Sequence, residues 1–391
     1  MEPCYEIRIT QAKKGRGMFS RRFIKAGEEI FLESPMVSVQ FAWNETCKYK
    51  ACQQCLRSME TAEQMYRRLT NKPHFTLPKS NLCEVTPDRH VCCPDCGAPY
   101  CCRECYEEAT ALHHKVLCTG KDGKDHPTSH LIETWKTMHY PPETFNIMLA
   151  ARLIATVKQK SDPLERKEFV DKLSTFCRSL TNDENNIIHK LLGNQFQHQI
   201  EVLREILKES FYEESIKEWF EPDGFKSLLA LIGTNGQGIG TSSFSVWATN
   251  CEKKIADENL HKELSDLIDE LYDDLNNIAG PEFLDCEGSG LYLLQSACNH
   301  SCVPNAQVTF PHNNHILSLK AVKDIEPDQE IFISYLDECD RTRSRHSRHR
   351  LLRENYLFIC NCPLCVSQAY DPDFTSDDDD DDDDDDCMDH N

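Results

Sequence analysis

Cysteine and histidine at chelating distances set the first question this sequence raises. Cys52-Gln-Gln-Cys55, Cys93-Pro-Asp-Cys96, Cys101-Cys-Arg-Glu-Cys105 and His114-Lys-Val-Leu-Cys118 place four ligand pairs in one segment. A C-x2-C turn brings two sulfurs to one ion, and tetrahedral Zn²⁺ takes four such ligands, so eight ligands make two sites. Structural zinc also stabilises a segment too poor in apolar residues to hold its own core. The register stays open at three places, because Cys92, Cys102 and His113 adjoin proposed ligands. Farther on, Cys360-Asn-Cys-Pro-Leu-Cys365 offers three thiolates, Cys360, Cys362 and Cys365. The fourth has to come from a distance. Cys302 is the candidate on stoichiometry, with Cys298 and Cys339 competing on count.

Cys302 belongs to the stretch Cys298-Asn-His-Ser-Cys-Val-Pro-Asn305, which suits three chemistries: a cysteine–histidine nucleophile, a metal site, or a backbone knot around a small cofactor. A zinc-bound thiolate is not a free nucleophile. A cysteine-protease arrangement would need Cys298 with a base and an orienting group, and no local signature supports it. Gly233-Thr-Asn-Gly-Gln-Gly-Ile-Gly240 lacks the Lys-Ser/Thr of a phosphate loop and reads as a flexible connection near substrate. The basic block Arg341–Arg350 reads as a solvated helix ahead of the last cysteine cluster, pairing with an acidic tail, in preference to a nucleic-acid contact or nuclear signal.

The elements that position these residues are short. Apolar and polar residues alternate around glycine turns near the amino end, as in Glu29–Glu33 and Met36–Phe41, which predicts strands. Strands are predicted again at Gly290–Leu294, Ala306–Phe310, His315–Lys320 and Glu330–Tyr335. Between them, Glu143–Val157 and Gln199–Leu207 carry apolar residues three and four apart, the helical period, and another helix is expected near His261–Ile278. Arg57–Pro87, with Cys83 its one cysteine, looks like an insertion between two metal-binding halves.

The 391 residues carry a formal charge of −22, of which the run Asp377–Asp386 supplies −10 as a solvated tail. That balance argues against sequence-independent nucleic-acid binding and favours basic protein partners. No apolar run approaches the ~20 residues that cross a bilayer, and the first residues have no leader pattern. With 22 cysteines clustered at metal spacing, an intracellular (cytoplasmic or nuclear) protein and a monomer are expected.

Residues 52–118 resemble the MYND zinc finger. Its interleaved ligation implies Cys52, Cys55, Cys101 and Cys105 on one ion, with Cys93, Cys96, His114 and Cys118 on the other. The long gap from Cys55 to Cys93 departs from that family's spacing. The whole chain resembles SET-domain protein-lysine methyltransferases with a MYND insertion. Lys14-Gly-Arg-Gly17 looks like their first glycine turn, Asn299-His-Ser-Cys-Val-Pro-Asn305 like the N-H-S-C-x-P-N motif, Glu330–Tyr335 like the strand ending in the catalytic tyrosine, and Glu354–Cys365 like the post-SET segment. The helical span, the glycine stretch and the acidic run narrow this to the divergent fifth branch of the SET-and-MYND family. Most relatives append a helical-repeat domain. This sequence ends soon after its last zinc cluster, which implies a substrate groove shaped otherwise.

The resemblance implies an α+β chain: a SET-type β-fold of short strands interrupted by a MYND double-zinc finger and a helical insert, followed by a zinc-binding post-SET segment. The expected parts are 1–51, the MYND finger 52–118, helices 119–232, the SET core 233–340, the post-SET segment 341–370 and a tail from 371. It implies transfer of methyl from S-adenosylmethionine to a lysine ε-amine of histone or non-histone (including ribosomal) proteins, through a basic lysine-containing segment. Tyr335 and Tyr356 would be catalytic. Lys14, Gly15, Arg16, Gly17, Asn299, His300, Tyr335 and Phe358 would meet the cofactor, and three zinc ions are expected. The alternative is a non-enzymatic adaptor that grips proline-containing peptides through the MYND finger.

Overall fold

The structure, a computed structural model, describes residues 2–10, 15–139, 145–177, 196–280 and 286–372. Lys14, the start of the helix expected from Glu143 and the aspartate run lie outside those residues.

Four strands open the chain: β1 (Tyr5–Ile9), β2 (Arg16–Ser20), β3 (Glu29–Glu33) and β4 (Val37–Gln40). Two short ones, β5 (Val91–Cys92) and β6 (Pro99–Tyr100), pair within the cysteine-rich segment. Then come β7 (Gly236–Thr241), β8 (Cys286–Leu291), β9 (Asn299–His300), β10 (Ala306–Thr309), β11 (Leu317–Ala321) and β12 (Phe332–Ile333). They form small sheets: β1-β2, β10-β11-β3, β4-β8-β7 and the parallel pair β9-β12. Amino- and carboxy-terminal strands thus complete each other's sheets, with the insertions projecting between them. Their common core contains Met18, Ile24, Phe31, Leu317, Leu319, Ile331 and Ile333, together with Tyr292 and Cys298. Each such apolar side chain contributes about 1.5–3 kcal/mol on burial.

The helix Ile147–Gln159 is buried on every side from Ile147 to Val157 and centres the helical region. Apolar residues all round a helix require neighbours all round it. The helices Pro127–Met138, Phe196–Phe211 and Pro222–Asn235 supply part of that surface. Asn146 starts the central helix by accepting the Met148 N–H at 3.1 Å, and its amide donates to the Gln40 carbonyl at 3.3 Å. Arg152, one turn on, donates to the Ser38 carbonyl, so the helix is fastened to β4 through polar contacts in a buried seam.

Three local expectations change. Gly233–Gly240 is not a flexible connection: residues 233–235 end a helix, and Gly236–Thr241 pairs along its length with β8. A side chain at Gly288 of β8 would put its Cβ 2.4 Å from the Val39 carbonyl oxygen, so close strand packing explains a glycine there. The strand expected at 290–294 lies earlier, at Cys286–Leu291, and the one at 330–335 shrinks to Phe332–Ile333. The Arg57–Pro87 insertion also has a partner. Its helix Ala62–Thr70, started by a Thr61–Gln64 capping box, shares a core with the helices Ser243–Lys254 and Glu258–Ala279 through Tyr66, Phe244, Trp247 and Leu271. The insertion and a helical pair far from it in sequence therefore bury each other. Among the described residues no helix is long and apolar enough to cross a membrane.

Candidate active site and zinc clusters

Three groups of four ligand atoms converge, each within 4.8 Å: Cys52, Cys55, Cys101 and Cys105; Cys93, Cys96, His114 and Cys118; Cys302, Cys360, Cys362 and Cys365. A Zn–S bond of 2.3 Å in a tetrahedron gives S···S edges of about 3.8 Å. The observed edges are 3.7 Å for Cys55–Cys101, 3.9 Å for Cys93–Cys118, 3.9 Å for Cys302–Cys360 and 3.5 Å for Cys302–Cys365. Donor type and spacing fit zinc at all three.

The register is set by where neighbouring side chains turn. A π-type turn, Thr110–His114, lies inside the helical stretch that carries both histidines. His114 Nε2 comes within 3.6 Å of Cys96 Sγ, whereas His113 Nε2 meets Gln54 Oε1 at 3.0 Å. Cys92 is exposed outside the clusters. In the third cluster Cys302 is the fourth ligand. Cys298 instead lies buried against Met18, and Cys339 is exposed.

The basic block is not wholly solvated. Arg348, on the helix Arg345–Tyr356, is 1% exposed, and its Nη2 reaches Cys365 Sγ at 3.5 Å and Gln368 Oε1 at 2.7 Å. Four thiolates on Zn²⁺ leave a net charge of about −2, so a buried guanidinium is electrostatically at home there. Arg152, bonded to the Ser38 carbonyl, is a second buried guanidinium. Burial pulls its pKa down to about 10, opposed by the neighbouring Tyr100 and Cys52, and it stays protonated at neutral pH.

The remaining motif residues meet at one point. Asn299 Nδ2 donates to the Arg16 carbonyl at 2.9 Å and to Glu330 Oε1 at 2.7 Å, joining three distant segments. Gly17 makes this approach possible, since a Cβ there would lie 2.8 Å from Glu330 Oε1. Gly15 has φ +73°, a left-handed turn that favours glycine. Asn305 stitches β12 in place, donating to the Glu330 carbonyl at 2.9 Å and accepting the Phe332 N–H at 2.7 Å.

Tyr335 follows β12, and its hydroxyl donates to the Cys298 carbonyl at 2.8 Å. Its ring lies 4.9 Å from Tyr356 and 6.2 Å, edge-on, from Phe358. Burial pushes both phenols upward, Tyr356 to about 12, so both remain protonated at neutral pH. Burial likewise raises the Cys298 thiol, which removes it as a nucleophile. Arg16 is half-buried, its pKa lowered by desolvation, and its Nη2 lies 3.5 Å from Ser296 Oγ.

The His300 side chain is held within the protein. Its ring is buried, with Nδ1 accepting the Tyr335 N–H at 2.9 Å and Nε2 3.4 Å from Cys302 Sγ. Both ring nitrogens are engaged inside the protein, which leaves its backbone for the cofactor. Two contributors escaped sequence reasoning. The Cys298 carbonyl has no side-chain signature, and Glu330 was legible only as the first residue of a strand.

This combination of a β9-β12 parallel pair, a paired tyrosine at its end and a thiolate cluster behind it defines a SET-domain methyltransferase centre. The SET-domain family profile matches residues 15–336, and the chain belongs to the SET-and-MYND family of protein-lysine methyltransferases. It is 50% identical over 374 residues to the human "Protein-lysine N-trimethyltransferase SMYD5", covering 95% of this chain and 88% of that protein. The zebrafish (Danio rerio) protein of the same name is 50% identical over 377 residues, 96% of this chain and 90% of its own. The pig (Sus scrofa) "N-lysine methyltransferase SMYD2" is 27% identical over 299 residues, 75% of this chain and 52% of its own. The chain is an S-adenosylmethionine-dependent methyltransferase, not an adaptor alone. Its residues fit that cofactor: the aromatic faces of Tyr335, Tyr356 and Phe358 suit a sulfonium cation and an alkyl-ammonium.

Proposed function

We propose that Tyr335 and Tyr356 form the lysine-methylation centre, that Gly15, Arg16, Gly17, Asn299, the His300 backbone, Tyr335 and Phe358 contact the cofactor, and that the product is trimethyl-lysine in a basic segment of a protein substrate. The trimethyl product rests on the names of the relatives at 50% identity. The basic partner is supported by the chain's formal charge of −22. Its thiolate clusters favour a reducing setting, cytoplasmic or nuclear. Nothing favours direct nucleic-acid binding over protein contact.

The observation that carries this reading is the Tyr335 hydroxyl fixed on the Cys298 carbonyl with two aromatic rings beside it. S-adenosylmethionine supplies an electrophilic methyl on a sulfonium. The protein's task is alignment with a neutral amine, because an in-line displacement needs no covalent nucleophile. A lysine amine has a pKa of about 10.4, so at pH 7 roughly one in 2,500 is neutral. Protonated Tyr335 and Tyr356 cannot take its proton; they hold the amine's lone pair toward the methyl, and the proton leaves to solvent.

Incubation of the protein with isotopically labelled S-adenosylmethionine and cell extract, followed by mass spectrometry of labelled bands, tests this. Labelled trimethyl-lysine that forms about tenfold more slowly with Tyr335→Phe is expected. Equal labelling by the variant would overturn the roles assigned, and a mono- or dimethyl end point would overturn the product.

A further inference from the structure

We propose that His300 is a positioning residue that couples the third zinc site to the catalytic tyrosine. The argument is geometric. Nδ1 accepts the Tyr335 backbone N–H at 2.9 Å, so Nδ1 carries a lone pair and the ring proton of a neutral imidazole resides on Nε2. Nε2 faces Cys302 Sγ at 3.4 Å, an ordinary separation for N–H donating to sulfur. The ring is only 5% exposed, and it packs 5.4 Å from Tyr335 and 5.9 Å from Phe358, which fixes its plane. Behind it the Ser301 N–H donates to the Ile333 carbonyl at 2.9 Å, holding β9 on β12.

One side chain therefore spans from a zinc-bound thiolate to the backbone amide of the residue whose hydroxyl rests on the Cys298 carbonyl. Outer-shell partners orient metal ligands, and here the partner's other end sets a catalytic group. Zinc in this site acts on alignment during turnover as well as on folding of the segment that carries it. The MYND clusters have no such contact with Tyr335 among the described residues.

Two substitutions separate the two ends. An asparagine oxygen falls near the place of Nδ1 and a glutamine nitrogen near that of Nε2. His300→Asn keeps the acceptor for Tyr335 and loses the donor to Cys302. It is expected to lower kcat less than His300→Gln does, while one of three metal equivalents is held about 10-fold more weakly against a chromogenic chelator. His300→Gln keeps the donor and loses the acceptor. It is expected to retain all metal and cofactor affinity while kcat falls, up to about 10²-fold if Tyr335 shifts by an ångström. Proportional loss of metal and turnover in both variants would overturn the proposal, since that marks general damage.

A measurement on the unaltered protein covers variants that fail to fold. With ¹¹³Cd in the metal sites, the Nε2–H of His300 is expected to show scalar coupling to ¹¹³Cd through the sulfur. A resolved His300 signal without coupling overturns the link. Only the kinetic arm rests on the methyltransferase reading. An inactive protein with intact coupling would fault that reading and leave the link standing.

Discussion

The MYND clusters and the post-SET cluster use the same ligands for different ends. The MYND ligands all fall between Cys52 and Cys118, and their surroundings are a small satellite core around Tyr100 and Ala109. There the metal substitutes for apolar residues the segment lacks. In the post-SET cluster Cys302 stands 58 positions before Cys360; Cys302, Cys360 and Cys365 are buried, and Tyr335, Tyr356 and Phe358 pack on the same core. A zinc site whose ligands share one inserted segment staples a module, whereas one that ties a SET-core loop to the carboxy-terminal segment holds an active centre together.

The largest expected effect breaks this contrast or keeps it. Cys360→Ser should cost activity about 10²-fold or more, the scale of an ångström's misplacement, with the other two zinc ions retained. Turnover assays beside metal analysis check it, and unchanged turnover would make the two regions equivalent. Tyr335→Phe comes next, with loss of about tenfold in kcat for the alignment given by one hydrogen bond. Its pH profile sharpens the point. Both tyrosines are raised by burial, so neither of these two phenols ionises between pH 7 and 9, and activity should rise with pH as the substrate amine deprotonates. The slope should be the same in Tyr335→Phe; a flattened variant profile would mean that the phenol is the base.

Gly17→Ala forces a Cβ against Glu330 Oε1 and should weaken cofactor binding about fivefold, near the low end of overpacking costs, measured by calorimetry. Cys101→Ser should change kcat per folded molecule the least, within about twofold, while lowering the melting temperature through loss of a structural zinc. A large kcat loss in that variant, with folding intact, would place the MYND module inside the catalytic machinery.

Much of this was legible in the chain because it is local. C-x2-C and C-x-C-x2-C turns determine which sulfurs can share an ion, since the backbone of a short turn fixes their separation. Alternation placed about half of the described strands, and the order of four short motifs determined the family. Tertiary structure decided what depends on approach between distant segments. Cys302 rather than Cys298 or Cys339 completes the third cluster, because the β9-β12 pair turns its sulfur toward Cys360 and buries that of Cys298 against Met18. The His300 ring comes to lie between Cys302 Sγ and the Tyr335 N–H for the same reason. Arg348 left a basic stretch for a buried thiolate, and a glycine run became β7 when β8 supplied its hydrogen bonds. Sequence names the donors and acceptors. Which of them meet is a matter of topology, because a backbone carbonyl such as that of Cys298 carries no residue type to announce its partner.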